Sequence, residues 1–339
     1  MVSPAMSDPK ARPPVDEFDH IARLLRPLAA GAPEALGLLD DAAILQSRPG
    51  QDLVVTTDTL VEGVHFLPSD SLDMVARKLL RVNLSDLAAK AAAPYGYFLC
   101  ASWSPRCGWD EREAFAAGLA ADQAAFGIVL MGGDTTSTPG PLTFSLTAMG
   151  WAQAGETVKR SGARPGHRLL VSGTIGDGSL GLAAATGGLA QMDVRRRAAL
   201  ADRYRLPHPR LELRAALLAY ASAAADVSDG LIADAGHIAE ASGCAVAIEL
   251  GATPLSEAAA AWLAGEPNRA VALAKLASGG DDYEIVLAAP PDACASAVAA
   301  AKAAGVVLTE IGRFEEGAGV GVQMDGQPYA APRAGYRHL

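Results

Sequence analysis

The sequence predicts a two-domain protein of mixed α/β and α+β class. At 339 residues, half of them hydrophobic and 19% charged, the chain exceeds the roughly 250–300 residues at which a single hydrophobic core stops growing. Strand-like and helix-like segments are mixed in both halves and do not sort into an all-helical and an all-strand part. Carboxylates recur beside Gly, Ser or Thr at the ends of apolar segments, where a rigid scaffold displays functional groups, so the expected protein is an enzyme.

Residues 1–15 are polar and Pro-punctuated without an apolar stretch, and are expected to form a flexible tail with no signal peptide. A helix is predicted from Asp16, since Phe18, Ile21, Ala22, Leu24 and Leu25 recur at helical spacing, with Pro27 as its limit. Asp52–Asp58 reads as a strand ending in hydroxyls and a carboxylate. Val75, Leu79, Val82, Leu84 and Leu87 predict one or two helices between Leu72 and Ala93, stopped by Pro94. Strands are expected over Tyr97–Trp103, Ile128–Met131 and Leu142–Trp151, with a helix over Glu111–Phe126.

The first domain is placed at 16–152 and the second at 153–339. The second opens with the strand Arg168–Ser172, then a Gly-rich segment and an Ala-rich helix. The Arg195–Arg205 stretch is expected to be a solvated helical face. Helices near Leu211–Ala223 and Ile232–Ala241 flank a loop at Asp226–Gly230. Strands at Ala245–Leu250, Tyr283–Ala288 and Val307–Phe314 complete the prediction, with an Ala-rich helix between the last two.

Lys and Arg number 28 against 38 Asp and Glu, a net charge of −10, which argues against nucleic acid or an anionic membrane as partner. No apolar run reaches the roughly 18–20 residues of a membrane span. The four cysteines, Cys100, Cys107, Cys244 and Cys294, form no Cys-x-x-Cys pair, so they are expected to be small hydrophobes in a reducing cytoplasm.

Six acidic places stand out: Asp40-Asp41, Thr56-Thr57-Asp58, Asn83-Leu84-Ser85-Asp86, Gly132-Gly133-Asp134-Thr135, Asp226-Val227-Ser228-Asp229-Gly230 and Gly279-Gly280-Asp281-Asp282-Tyr283-Glu284. Converging carboxylates repel one another in a partly desolvated cleft unless cations neutralise them, and oxygen ligands of this kind suit Mg²⁺, which shares its shell with substrate phosphates. Each place also has a plainer explanation. Asp86 sits four residues before Lys90, an i,i+4 pair, and Ser85-Asp86 and Ser228-Asp229 are good helix-start residues. Gly132-Gly133-Asp134 suits a turn, and His65 beside Phe66 suits a packed histidine. The segment Gly176-Asp-Gly178-Ser-Leu-Gly181 fits G-x-G-x-x-G after a strand. It lacks the acidic residue expected at the end of the next strand, because Asp193 adjoins an arginine run. Those glycines either present amides to a phosphate or permit a tight strand-to-helix turn. No Walker-type loop, His-Arg-Asp loop or G-x-S-x-G elbow occurs.

Taken in order, these motifs resemble the thiamine-monophosphate kinase family, within the superfamily of aminoimidazole ribonucleotide synthetase, selenophosphate synthetase and HypE. The resemblance runs from about Asp16 to the C-terminus. Its residues are Leu39-Asp40-Asp41-Ala-Ala, the stretch Thr56 to Phe66, Val82-Asn-Leu-Ser-Asp-Leu-Ala-Ala89, Gly132-Gly-Asp-Thr-Thr136, Arg160-Ser-Gly-Ala163, Asp226-Val-Ser-Asp-Gly-Leu231 and Ser278-Gly-Gly-Asp-Asp-Tyr-Glu284.

The resemblance implies transfer of the γ-phosphoryl group of ATP to thiamine monophosphate, giving thiamine diphosphate and ADP, by in-line displacement with several Mg²⁺ ions. It implies metal ligands at Asp41, Thr56, Thr57, Asp58, Asp86, Asp134, Asp226 and Asp229. ATP contacts would fall to Gly133, Asp134, Arg160 and Ser228, and thiamine monophosphate contacts to His65, Asp281 and Arg333. No acid–base residue is assigned. The implied fold is the two-domain aminoimidazole ribonucleotide synthetase-like one, with the ATP- and Mg²⁺-binding N-terminal domains of a homodimer pairing their sheets into a barrel. Selenophosphate synthetase would want a reactive Cys near the N-terminus and HypE a C-terminal Cys, and neither is present. Three positions depart from the family pattern: Leu39 stands for Gly, Asp281 for Glu, and Arg333 for an aromatic residue. They leave open an ATP-dependent enzyme with another acceptor, or a nucleotide or thiamine-phosphate sensor without turnover.

Overall fold

The structure, a computed structural model, describes residues 16–331 and 335. The expected N-terminal tail and Arg333 lie outside the described residues. Packing divides the chain into two compact units. The first holds the described residues through Ser47, with Thr57–Leu80 and Gly96–Thr147. The second holds Arg48–Thr56, Arg81–Tyr95 and the chain from Ala148 onward.

The chain enters through α1 (Glu17–His20), whose cap is the Asp16 carboxylate accepting the Asp19 amide at 3.0 Å. Beyond it the helix widens over Ile21–Leu25 and tightens over Arg26–Ala29. Pro27 therefore does not end the run. It sits in the first turn of the tightened segment, where its missing N–H costs nothing. Strands β1 (Gln51–Val61), β2 (Ala93–Trp103), β3 (Val129–Ser137) and β4 (Thr143–Gln153) form a sheet in the order β1-β4-β2-β3. Helix α2 (Leu72–Ala89) precedes β2. The parallel pair β2–β3 needs a crossover, and α3 (Trp109–Phe126) supplies it, ending at Gly127 in the left-handed conformation.

The core of the first unit is aromatic. Phe115 and Phe144 stack at 4.4 Å between centroids, and Trp103 meets both edge-on at 5.4 and 5.1 Å. His20 is buried against the edge of Trp103. Burial, helped by Arg112, lowers its pKa from 6.5 to about 4.

The second unit carries a seven-stranded sheet. Its strands are β5 (Arg168–Ser172), β6 (Ala223–Asp226), β7 (Ala245–Glu249), β8 (Ile285–Ala289), β9 (Leu308–Glu315), β10 (Gly319–Met324) and β11 (Gln327–Pro328), in the order β11-β10-β7-β9-β5-β8-β6. Only β10–β7 is parallel among the pairs with a defined register. Alternation in the strands assigns the two faces. Leu169, Val171, Val286 and Ala288 pack with Leu231, Ile232, Ala235 and Leu273, from α7 (Leu231–Ser242) and α9 (Arg269–Ala277). Leu170, Ile285, Leu287 and Ala289 pack with Leu217, Ala297 and Ala301, and with Ala88 and Ala89 at the end of α2. Those partners come from α6 (Arg214–Tyr220) and α10 (Cys294–Ala303). A third cluster joins α4 (Asp177–Ala185), α5 (Val194–Arg205) and α8 (Glu257–Ala264) through Leu180, Leu200 and Ala259.

Several expectations change. Pro94 lies inside β2, and α2 already ends at Ala89, where the chain turns through Ala91 at φ +54°. Ser85 and Asp86 lie in the interior of α2, not at a helix start. Thr56–Asp58 is mid-strand in β1, and Gly132–Thr135 continues β3 and forms no turn. The helix expected to reach Ala223 stops at Tyr220, because Ala223–Asp226 forms β6, so Asp226 ends a strand. Helices α8 and α9 and strand β10 were not anticipated.

His20 generates a pH prediction. Its pKa is lowered on folding, so unfolding takes up a proton and stability falls as pH drops from 6.5 toward 4, by about 3 kcal/mol in total. Urea unfolding of wild type and His20→Phe at pH 7 and pH 4.5 should show the wild type losing this increment and the variant not; parallel losses would refute it.

Candidate functional site

Residues from three parts of the second unit meet in one cleft of about 400 Å³, lined by Asp86, Lys90, Lys159, Arg160, Ala225 and Asp226. Asp86 comes from the last turn of α2. Its carboxylate accepts the Thr56 hydroxyl, from β1, in a short hydrogen bond. Asp226, at the end of β6, is buried and accepts the Ser85 hydroxyl at 2.9 Å. Two carboxylates from distant stretches of sequence are thus each held by a hydroxyl. Burial raises the Asp86 pKa, against the Thr56 hydroxyl and the charges of Lys90 and Arg160.

Two loops continue this region. The amides of Asp281 and Tyr283 donate to the carbonyls of Ser228 and Val227 at 3.0 and 2.8 Å, and the Val227 amide donates to the Glu284 carbonyl at 2.8 Å. The pairing forces close approach. A Cβ at Gly280 would lie 2.5 Å from the Ser228 carbonyl oxygen, and Gly230 has φ +118°. Asp281 and Tyr283 themselves take positive φ, +70° and +50°, strain that persists only where the surroundings hold it.

Two buried acids do the holding. Asp282 accepts the amides of Gly176 and Gly178 at 2.7 and 2.9 Å. Its carboxyl is pushed up to about 8 by burial, against those two hydrogen bonds. The Gly-rich start of α4 is therefore filled by the protein's own carboxylate, so of the sequence alternatives it is a strand-to-helix turn. Glu284 accepts Arg203 at 2.9 Å, Arg210 at 2.6 Å and the Ser172 hydroxyl at 2.6 Å.

At the head of α7, Asp234 accepts the amides of Asp229 and Gly230 at 3.0 and 3.1 Å. Burial, then the charge of Asp229, raises its pKa to about 7. Donor atoms of Asp229, Asp234 and His237 lie within 4.8 Å of one another.

The first unit holds the other expected residues on separate elements. The Thr57 hydroxyl, on β1, donates to the Leu146 carbonyl at 3.2 Å and accepts the Thr147 hydroxyl at 3.1 Å. Asp58 is the next residue of that strand. Asp134 is exposed on β3 opposite Cys100 of β2. Gly133 before it has φ +151°, and a Cβ there would stand 1.8 Å from the Leu99 carbonyl oxygen, so no other residue fits. His65 accepts the Val61 amide on Nδ1 at 3.1 Å, which places its ring proton on Nε2 in the neutral form. Asp41 is exposed, its amide bound to the Asp40 carboxylate at 2.8 Å.

Of the residues expected from sequence, the structure gathers Thr56, Asp86, Arg160 and Asp226 into one cleft and ties Ser228 to Asp281 through the backbone. Lys90, Lys159, Asp234 and His237 were not singled out as site residues. The i+4 spacing of Asp86 and Lys90 is the one available signal, and it is equally the spacing of an ordinary helical ion pair.

Residues 39–152 match the family model of the AIR synthase related protein, N-terminal domain, and residues 164–325 match that of its C-terminal domain. The thiamine-monophosphate kinase of Caulobacter vibrioides is 57% identical over 97% of this chain and 92% of its own length. The chain belongs to the thiamine-monophosphate kinase family. Two solved structures agree. The family member from Stenotrophomonas maltophilia matches with a TM-score of 0.77 and 40% identity, covering 86% of this chain and 91% of its own. AaThiL complexed with AMPPCP and TMP matches at 0.74 and 29%, covering 88% and 91%. The family departure at Leu39 costs the backbone nothing, because Leu39 has φ −113°, a conformation that needs no glycine.

Glu284→Gln leaves Arg203 and Arg210 facing a neutral group in a buried setting, which should cost about 3–5 kcal/mol. Chemical denaturation measures it, and a loss under 1 kcal/mol would show that Glu284 does not hold the loop.

Proposed function

We propose that this chain transfers the γ-phosphoryl group of ATP to thiamine monophosphate, releasing thiamine diphosphate and ADP. The observation that carries the reading is a cleft that presents carboxylates and cations together, Asp86 and Asp226 beside Arg160, Lys159 and Lys90. Such a mixture suits a polyanion bound with divalent metal. The similarity to thiamine-monophosphate kinases, including a structure named for AMPPCP and TMP, supports it.

The donor set fits Mg²⁺. The carboxylates and hydroxyls are hard oxygen ligands of the kind this ion takes. Asp41, Thr56, Thr57, Asp58, Asp86, Asp134, Asp226 and Asp229 are the proposed ligands. Bound Mg²⁺ supplies charge neutralisation between two anionic substrates. Thr56 and Ser85 keep the two carboxylates in fixed orientations. Arg160 is a cation for phosphate oxygens, and Gly133 and Ser228 contact the nucleotide. His65, neutral with its proton on Nε2, offers an N–H donor to thiamine monophosphate, and Asp281 and Arg333 complete that side. The acceptor oxygen of a phosphate is already ionised at neutral pH, so no side chain need act as general base.

The division into an ATP- and Mg²⁺-binding domain at 16–152 and a second domain at 153–339 is part of the proposal, supported by the two family-model matches. So is a homodimer built on the first sheet. β1 is the outermost strand and exposes Leu53 and Val55, an edge that demands cover. No helix among the described residues is long and apolar enough to cross a membrane, and free Cys100, Cys107, Cys244 and Cys294 support a cytoplasmic setting.

Incubation with ATP, Mg²⁺ and thiamine monophosphate should yield thiamine diphosphate by chromatography. ADP with some other phosphorylated acceptor and none with this one would point to another substrate, and binding without turnover to a sensor. Asp134→Asn should lower turnover by about two orders of magnitude or more, with unchanged melting; near-normal activity would remove Asp134 from the metal set. Light scattering should give a dimer mass that Val55→Lys reduces.

A further inference from the structure

The cleft between Asp86 and Asp226 contains a cation of its own. Lys90 follows the end of α2, one helical turn beyond Asp86, and is half-buried, whereas Lys159 and Arg160 are exposed. Its ammonium donates to the carbonyl of Ala224 at 2.9 Å. Ala224 lies two residues before Asp226 on β6, so this bond pins the positive charge beside both carboxylates, and Lys90 lines the same cleft as they do. The position is enforced by packing. Ala88, Ala89 and Ala91 on one side and Ala224 on the other belong to one buried cluster, which brings the end of α2 against β6. A lysine ammonium is a cation at neutral pH, and the two carboxylates favour that charge.

We propose that Lys90 is an internal counter-cation of the Asp86–Asp226 pair, a positioning residue that holds the two carboxylates in one cleft without metal and limits the divalent charge the cleft takes up. The proposal rests on the reading of Asp86 and Asp226 as metal ligands. An ammonium fixed by a carbonyl partly neutralises both carboxylates and repels an arriving divalent ion. The free protein thereby tolerates the pair, and the cleft binds its ions in force only when a polyanion arrives with them.

Mn²⁺ binding to the full-length protein without nucleotide, counted from loss of the free-ion EPR signal, tests this. Lys90→Met should bind Mn²⁺ on the order of tenfold more tightly, the scale of one neighbouring charge at a partly desolvated site, or take up one further ion. Lys90→Arg, which keeps the charge, should retain the wild-type isotherm. Wild-type-like or weaker binding by Lys90→Met overturns the proposal, as does a Lys90→Arg isotherm that moves with it, since packing and not charge would then be at work. Lys90→Gln replaces Lys90→Met if the latter fails to melt cooperatively. The wild-type product assay is separate. Tighter Mn²⁺ binding by Lys90→Met in a protein that makes no thiamine diphosphate supports Lys90 as counter-cation and rejects the kinase reading alone.

Discussion

The loop from Ser278 to Glu284 depends on two acids that have no access to solvent. Glu284 is gripped by Arg203, Arg210 and Ser172, and Asp282 by the amides that open α4. An uncompensated buried carboxylate is costly, so each acid tolerates only the backbone path that brings it to its partners. That path carries Asp281 and Tyr283 through positive φ and lays their amides against Ser228 and Val227. The half-buried residues of both loops are therefore set by the acids buried beneath them.

The neighbouring cleft obeys the opposite electrostatics. Asp86 accepts a threonine hydroxyl and Asp226 a serine hydroxyl, and both line the cleft. The remaining demand for positive charge is shared among Lys90, Arg160 and whatever enters. Acids enclosed among their partners make architecture, and acids that line a cleft can make a binding site. The two kinds lie within one unit.

Much of this was legible in the sequence, for identifiable reasons. A helix beginning near Asp16 and a strand at Arg168–Ser172 follow from run pattern, and the structure reproduces both. The acidic motifs were visible because their order is specific. Their settings were not. Gly132-Gly133-Asp134 looks like a turn until the partner strand is known, because only the approach of Leu99 shows that a strand there requires a glycine. Ser85-Asp86 looks like a helix start because the preference of such residues for caps is local, while their place inside α2 is fixed by burial along its whole length. That Asp282 and Glu284 are buried is a tertiary fact with no local sign.

The filled start of α4 has a wider meaning. The spacing of Gly176, Gly178 and Gly181 describes a hollow of a certain curvature, and curvature says nothing about the guest. Here the host supplies the guest itself, a carboxyl group from the loop before β8 standing where a ligand's anion would stand. Glycine patterns therefore specify a keyhole, and the decisive question is whether the chain has already left its own key in it.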